Sequence, residues 1–262
     1  MSTRLGGWVL GIELRRVHRA AGFSQRGLAQ ELGWDASKLS RLLSGLRVVT
    51  EAELLLVLWV CGVKTARERE RFRSLAARAD QHRWWPGFED SSLSFRVSGV
   101  LEDQARAILC YSPNVVPALL RTARYGQALP VAEGATPGLF NRFRPPQCVF
   151  LVGERALTHP GPMPSIMRGQ ARHLAALAQR VAIRVVPEAL AFGWEGPFRI
   201  LDVPDLGRTV QVDQPRSTLF LHDKESVDAY AALARELMGI ALSEERSRGL
   251  LREIAGDALV RQ

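Results

Sequence analysis

FSQRGLAQELGWDASKLSRLLSG, residues 23–45, is two short apolar-faced segments separated by a glycine. Ser24 can accept hydrogen bonds from the free N–H groups that open a helix. Leu28, Ala29 and Leu32 follow on one helical face, and Gly33 ends the segment. Asp35 then suits a second N-cap, because its carboxylate also meets the positive end of the helix dipole. Leu39, Leu42 and Leu43 form an inner face and Gly45 terminates it. Ala36, Ser37, Lys38, Ser40 and Arg41 stand where a helix packed on all sides would hold apolar residues.

The flanks read as helices too. In LGIELRRVHRAAG (10–22), Leu10, Leu14, Val17 and Ala21 share a face, and Gly22 closes the segment. TEAELLLVLWVCG (50–62) opens with Thr50 and Glu53 at capping-box spacing and runs apolar to Gly62, the pattern of the central helix of a bundle. Two short helices joined by a tight turn make a helix-turn-helix. In that motif the second helix enters the DNA major groove with its N-terminal residues at the base edges. Small side chains at Ala36, Ser37 and Ser40 permit close approach to the groove floor. Lys38 can meet a phosphate, and Arg41, one turn beyond Ser37, can present its planar fork to a guanine edge. The competing interpretation is a plain four-helix packing unit with a solvated basic face.

Charge supports the first interpretation. The 262 residues carry a net charge of +8, of which +6 falls in residues 1–80 and +2 in the remainder. A basic first third on a near-neutral remainder suits a polyanion-binding module attached to something else. The three cysteines, Cys61, Cys110 and Cys148, lack metal-ligand spacing and read as reduced, buried thiols. The longest apolar run, LLLVLWVC (54–61), is far short of the ~20 residues that span a bilayer, and the N-terminus has no signal-peptide pattern. The expectation is a soluble, cytoplasmic protein.

Residues 64–81 predict a charged helix with a thin stripe of Phe72, Leu75, Ala76 and Ala79. HRWWPGFEDSS (82–92) breaks it, placing a domain boundary near residue 80, with 1–80 as the DNA-binding domain and linker helix and 81–262 as the second domain. Trp84 and Trp85 are either an aromatic platform or an anchor for the linker. Beyond them, helices are expected over 98–111 (SGVLEDQARAILCY) and 115–130 (VVPALLRTARYGQALP), then a loop over TPGLFNRFRPPQ (136–147). CVFLVGE (148–154) reads as a buried strand. A helix over 163–180, with Ile166, Leu174 and Leu177 inward, leads to a strand at VAIRVVP. The turn AFGWEGP precedes strands at FRILDVP, RTVQVDQ and TLFLHD, and helices close the chain over 224–241 and 243–257. A strand–helix–strand over 148–187 permits one parallel pair, and the later strands are spaced for antiparallel hairpins. The fold class is α+β overall: an all-α helix-turn-helix bundle, then a mixed α/β domain.

Catalytic signatures are missing. There is no phosphate-cradling glycine loop with Lys, no H-E-x-x-H, no G-x-S-x-G and no clustered metal ligands. His222-Asp223 has the form of half a catalytic pair but also of a strand end, with no nucleophile to complete it. Glu154-Arg155 reads as an active-site pair or a structural ion pair, and the GWEG loop as a ligand cover or a turn. Neither an enzyme nor a cofactor is expected.

Residues 10–62 resemble the Xre/Cro-type helix-turn-helix family, through LRRVHRAAGFSQRGLAQELG, KLSRLLSG and LLLVLWVCGV. That resemblance implies a lambda-repressor-like fold, groove-reading positions at Gln25, Ala36, Ser37 and Arg41, and phosphate contacts around Lys38, Ser44 and Arg47. The second part resembles the domain that follows such motifs in actinobacterial, antitoxin-like (WhiJ-like) regulators. The segments are LEDQARAILCYSPNVVPALLRTARYGQA, LVGERAL, SIMRGQARHLAAL, GPFRILDVP and LFLHDKESVDAYAALARELMGIALSEERSRGLLREIA. It implies a regulator of development, specialised metabolism or a toxin-like partner.

The combined expectation is a sequence-specific transcription regulator, homodimeric on a two-fold site in double-stranded DNA. Bases would be read by Gln25, Ala36, Ser37, Ser40 and Arg41. The DNA backbone would be met by Arg15, Arg16, Ser24, Lys38, Ser44 and Arg47. The second domain would dimerise the chain, sense a small-molecule effector or bind a small partner protein. The alternative is an antitoxin-like interaction protein that neutralises such a partner and uses DNA only for autoregulation. No membrane partner is expected.

Overall fold

The computed structural model describes residues 5–77, 91–129, 138–159, 164–190, 196–214 and 217–256. The chain forms two compact units: Met1–Leu101 with Pro204–Gly207 and Arg216–Thr218, and Glu102–Val203 with Arg208–Pro215 and Leu219–Gln262. The boundary expected near residue 80, with Trp84, Trp85 and Ala79, lies outside the described residues.

The first unit opens with α1 (Leu5–Ala20), α2 (Gln25–Glu31), α3 (Ala36–Leu43), α4 (Glu51–Val60) and α5 (Ala66–Ala77). Local signals set these boundaries. Ser24, Asp35 and Thr50 each cap the helix that follows, accepting from the N–H groups of Gly27, Ser37 and Glu53. The first four helices end on one device. After α2, Gly33 N–H donates to Gln30 O and Trp34 N–H to Ala29 O; after α3, Gly45 N–H donates to Leu42 O and Leu46 N–H to Arg41 O. Both glycines sit at positive φ, 64° and 70°, which glycine reaches at no steric cost. Gly22 and Gly62 close α1 and α4 in the same way.

Two expectations are corrected here. α1 begins at Leu5, before the expected Leu10, and buries Leu5, Trp8, Val9, Ile12 and Leu14; Ala21, expected inward, is exposed because the helix ends at Ala20. And α4 is not enclosed. It buries Leu54, Val57 and Leu58 but leaves Trp59 71% and Leu56 41% exposed, since its α5 neighbour brings only the thin stripe of Phe72 and Leu75 against it. The enclosed helix is α1, packed on both α3 and α5.

The α1–α3 contact is backbone to backbone. A Cβ on Gly11 would overlap Leu43 O, one on Gly7 would lie 3.0 Å from Gly45 O, and one on Gly45 would lie 2.5 Å from Trp8 N. Glycines one turn apart thus let α1 lie directly on the C-terminal end of α3. Arg15 adds a grip, Nη1 donating to Leu43 O at 2.5 Å. The first part of α6 (Ser91–Gln104) also belongs to this unit. Its Arg96 Nε donates to Glu13 of α1 at 2.8 Å, and Arg16 and Arg71 lie 3.1 and 3.9 Å from the same carboxylate, which is 1% exposed. A buried carboxylate is tolerable only when paired in this way.

The second unit holds β1 (Ala107–Ser112), α7 (Ala123–Gln127), β2 (Gln147–Gly153), α8 (Arg155–Thr158), α9 (Pro164–Leu177), β3 (Ala182–Val186), β4 (Phe198–Val203), most of β5 (Gly207–Gln214) and of β6 (Ser217–Leu221), α10 (Lys224–Ile240) and α11 (Glu244–Ala255). The sheet runs β3-β2-β1-β4-β5-β6, with β1 parallel to β2, β2 parallel to β3, and β4 antiparallel to β1. The parallel β2–β3 pair matches the expectation. One face packs Tyr111, Leu151, Phe198, Val210 and Val212 against Val227, Ala234 and Leu237 of α10. Edge strand β3 is covered: Leu242 N–H donates to Val185 O, and Val185 N–H donates to Ser247 Oγ of α11.

Two helices expected here are corrected. The segment 98–111 is helical only to Gln104; Ile108 and Cys110 then lie inward in β1, because β2 and β4 offer it ladder bonds on both edges. The segment 115–130 is a 3₁₀ turn at Ala118–Leu120, extended backbone at Arg121, then short α7. Thr122 caps α7, and its N–H donates to the buried Gln170 Oε1 at 2.8 Å, which takes it out of any continuous helix. Of the core residues expected in α9, Leu174 is buried; Ile166 and Leu177 are half-buried, and Met167 and Ala171 take the inner positions.

Candidate nucleic-acid interface

The site is built on α3. Asp35 Oδ1 accepts from Ser37 N–H at 2.7 Å, and hydrogen bonds from Ser37 hold the Asp35 carboxyl below its ordinary range. The cap therefore stays anionic at the positive helix end. Leu39, Leu42 and Leu43 are buried, which fixes the rotation of α3 about its axis. Ala36, Ser37, Ser40 and Arg41 consequently face outward, all exposed, as does Gln25 at the start of α2. The five residues expected to read bases are thus on the surface of the first unit.

The six residues expected at the DNA backbone are more varied. Arg16 is exposed and pairs with Glu13, whereas Arg15 is half-buried on Leu43 O. Ser24 Oγ is occupied as the α2 cap, and Ser44 Oγ donates to Ser40 O at 2.8 Å. Lys38 and Arg47 are both half-buried and share one partner. Lys38 Nζ lies 2.8 Å from Glu53 Oε1 and 4.1 Å from the Trp34 ring centroid. Arg47 meets both Glu53 oxygens through its two Nη atoms, each at 2.9 Å. The Glu53 carboxylate also accepts from Thr50 N–H at 3.2 Å, completing the capping box of α4. The Arg47 fork, opposed by partial burial and helped by Lys38 and Thr50, lowers the Glu53 carboxyl to about 2. The sequence placed Glu53 only as a cap. Its second role comes from two cations brought to it by the first turn of α3 and by the segment that follows α3.

In the second unit, Glu154 accepts from Glu188 N–H at 3.1 Å and Arg155 lies 3.8 Å from Glu188, so the two neighbours do not pair with each other. Asp223 caps α10 by accepting from Ser226 N–H. The three cysteines are buried and form no disulfide; burial pushes Cys61 up to about 11 and Cys148 up to about 12. A cleft of about 50 Å³ lies beside Tyr111, Ser112, Pro117, Phe150 and Arg199. Arg199 is bound by Glu102 at 2.6 Å and Asp213 at 2.8 Å. The GWEG loop falls largely outside the described residues. No described helix is long and apolar enough to cross a membrane.

Residues 9–72 match the family described as a helix-turn-helix domain. The first unit carries a helix-turn-helix DNA-binding domain. The match covers the whole of α2 to α4 and most of α1 and α5, so α2 and α3 are the two helices of the motif. Residues 137–253 match a family described as a domain of unknown function (DUF5753), which spans β2 to α11. No curated protein and no solved structure matches the chain.

Proposed function

We propose that this protein is a sequence-specific transcription regulator that binds a two-fold DNA site as a homodimer, with the second unit receiving an effector or a partner. The observation that carries the DNA reading is the division of α3: three leucines buried, and Ala36, Ser37, Ser40 and Arg41 exposed along the opposite side. A slim surface with one planar cation fits a groove floor, and a bidentate Arg–guanine contact contributes discrimination at one base pair. Gln25 flanks it from the start of α2.

The test is Arg41→Ala on two duplexes, one selected from a random pool by the parent protein and one of random sequence. The selected site is expected to lose ~1–3 kcal/mol of binding free energy and the random duplex much less. Equal losses would make Arg41 a phosphate contact and remove it from base readout.

The second reading is an antitoxin-like protein whose main partner is a small protein bound by the second unit. Phe143, 96% exposed beside Arg144, is the observation that favours it. A purified small protein, encoded next to this one, that abolishes duplex binding by the parent but not by Phe143→Ser would decide for it.

A further inference from the structure

Glu53 binds two cations at the edge of the DNA-facing helix. Lys38 lies within α3 and Arg47 follows its C-terminal turn, and both are held on the same Glu53 carboxylate. One carboxylate, 18% exposed, contacts both at 2.8–2.9 Å and offsets one of their two charges. Sequence-independent DNA affinity comes from cations that neutralise phosphates and release counterions. A cation already held by a carboxylate contributes less to that attraction until a phosphate replaces the carboxylate.

We propose that Glu53 is a specificity-determining residue that withholds Lys38 and Arg47 from generic duplex DNA and yields them only when α3 is seated in its site. The inference rests on the DNA-binding reading of α3. Replacing the carboxylate by a phosphate oxygen requires that phosphate to come within hydrogen-bond reach of side chains that are only 31% and 30% exposed. A helix docked in the groove brings the flanking phosphates that close. A loosely held duplex, bound by long-range attraction, leaves the ion pairs intact. Glu53 therefore acts through Lys38 and Arg47, as a positioning residue, and costs generic binding more than cognate binding.

Glu53→Gln separates this role from capping, because glutamine also serves at the third position of a capping box. Parent and variant are compared on the selected duplex and on a random-sequence duplex of equal length, across a salt series, with thermal melts to verify folding. The variant is expected to bind the random duplex about tenfold more tightly at low salt, with a slope of log K against log salt steeper by about 0.9 for each cation released to a phosphate. The selected duplex gains less, so the ratio between the two falls. Adding Lys38→Gln and Arg47→Gln to Glu53→Gln is expected to abolish the gain. An unchanged slope, a gain equal on both duplexes, or a gain that survives the triple substitution would each overturn the proposal. A parent that binds no duplex at low salt would sink the DNA reading as well. A parent that binds in an Arg41-dependent manner beside an inert Glu53→Gln would sink this inference alone.

Discussion

Gly11 is a residue whose importance lies in what it lacks. A helix interior ordinarily prefers Ala to Gly by about 1 kcal/mol. At Gly249 in α11 nothing lies within 4 Å of an added Cβ, and Gly249→Ala is expected to stabilise the protein by about 0.5–1 kcal/mol. At Gly11 the same methyl overlaps the carbonyl of Leu43, a backbone atom that cannot rotate away and that Arg15 also holds. Overpacking of this kind costs about 1–3 kcal/mol and wins over propensity. Gly11→Ala is therefore expected to lower the urea midpoint and to weaken duplex binding by displacing α3, and a midpoint above the parent's would show that α1 and α3 are not in direct backbone contact. Such residues explain what the sequence does and does not disclose. Ser24, Asp35, Thr50 and the four terminal glycines act on atoms within a few positions, so their roles were legible. Gly11, buried Glu13 and the double grip of Glu53 act on atoms many positions away, and no local pattern marks them.

Elements obey the same division. The helices around the turn were legible because caps, glycines and apolar period agree. β1 and the 115–130 segment were not, since β1 takes its form from strands on both sides and 115–130 from Gln170 of α9. The start of α4 is an element end whose stability depends on charge. The Glu53 carboxyl is lowered from 4.5 to about 2 in the folded chain. A lowered carboxyl contributes stability that is complete above its unfolded value near 4.5 and is lost as pH falls towards 2. The parent is thus expected to exceed Glu53→Gln in unfolding free energy by on the order of 1–3 kcal/mol near neutral pH, with the gap closing as the acid titration passes through that window. A gap that stays constant down to the lower limit would mean that shape, not charge, holds the end of α4.

At the scale of the whole molecule, a two-fold operator requires two recognition helices about 34 Å apart, and hence a surface on which the chain meets its own copy. An isologous contact must offer both a projection and a recess, and both signs of charge, on one patch. The α4–α5 surface does. Trp59 projects beside an open groove of about 670 Å³ lined by Leu55, Arg67 and Glu70. Across it Arg73 lies 2.9 Å from Glu51 and 3.5 Å from Glu70, with both acids two-thirds exposed, so opposite charges are available to a copy turned by 180°. Trp59→Ser removes the projection from a side chain that contributes little to the folded unit, so the melting temperature should hold. In sedimentation equilibrium the parent is expected as a dimer and the variant as a monomer. The variant should also bind an isolated half-site as well as the parent does, yet bind the full two-fold site at least tenfold more weakly, because the second half-site no longer benefits from a linked partner. A variant that remains dimeric would move the self-contact away from α4 and α5, and a parent that is monomeric on a full site would end the two-fold proposal itself.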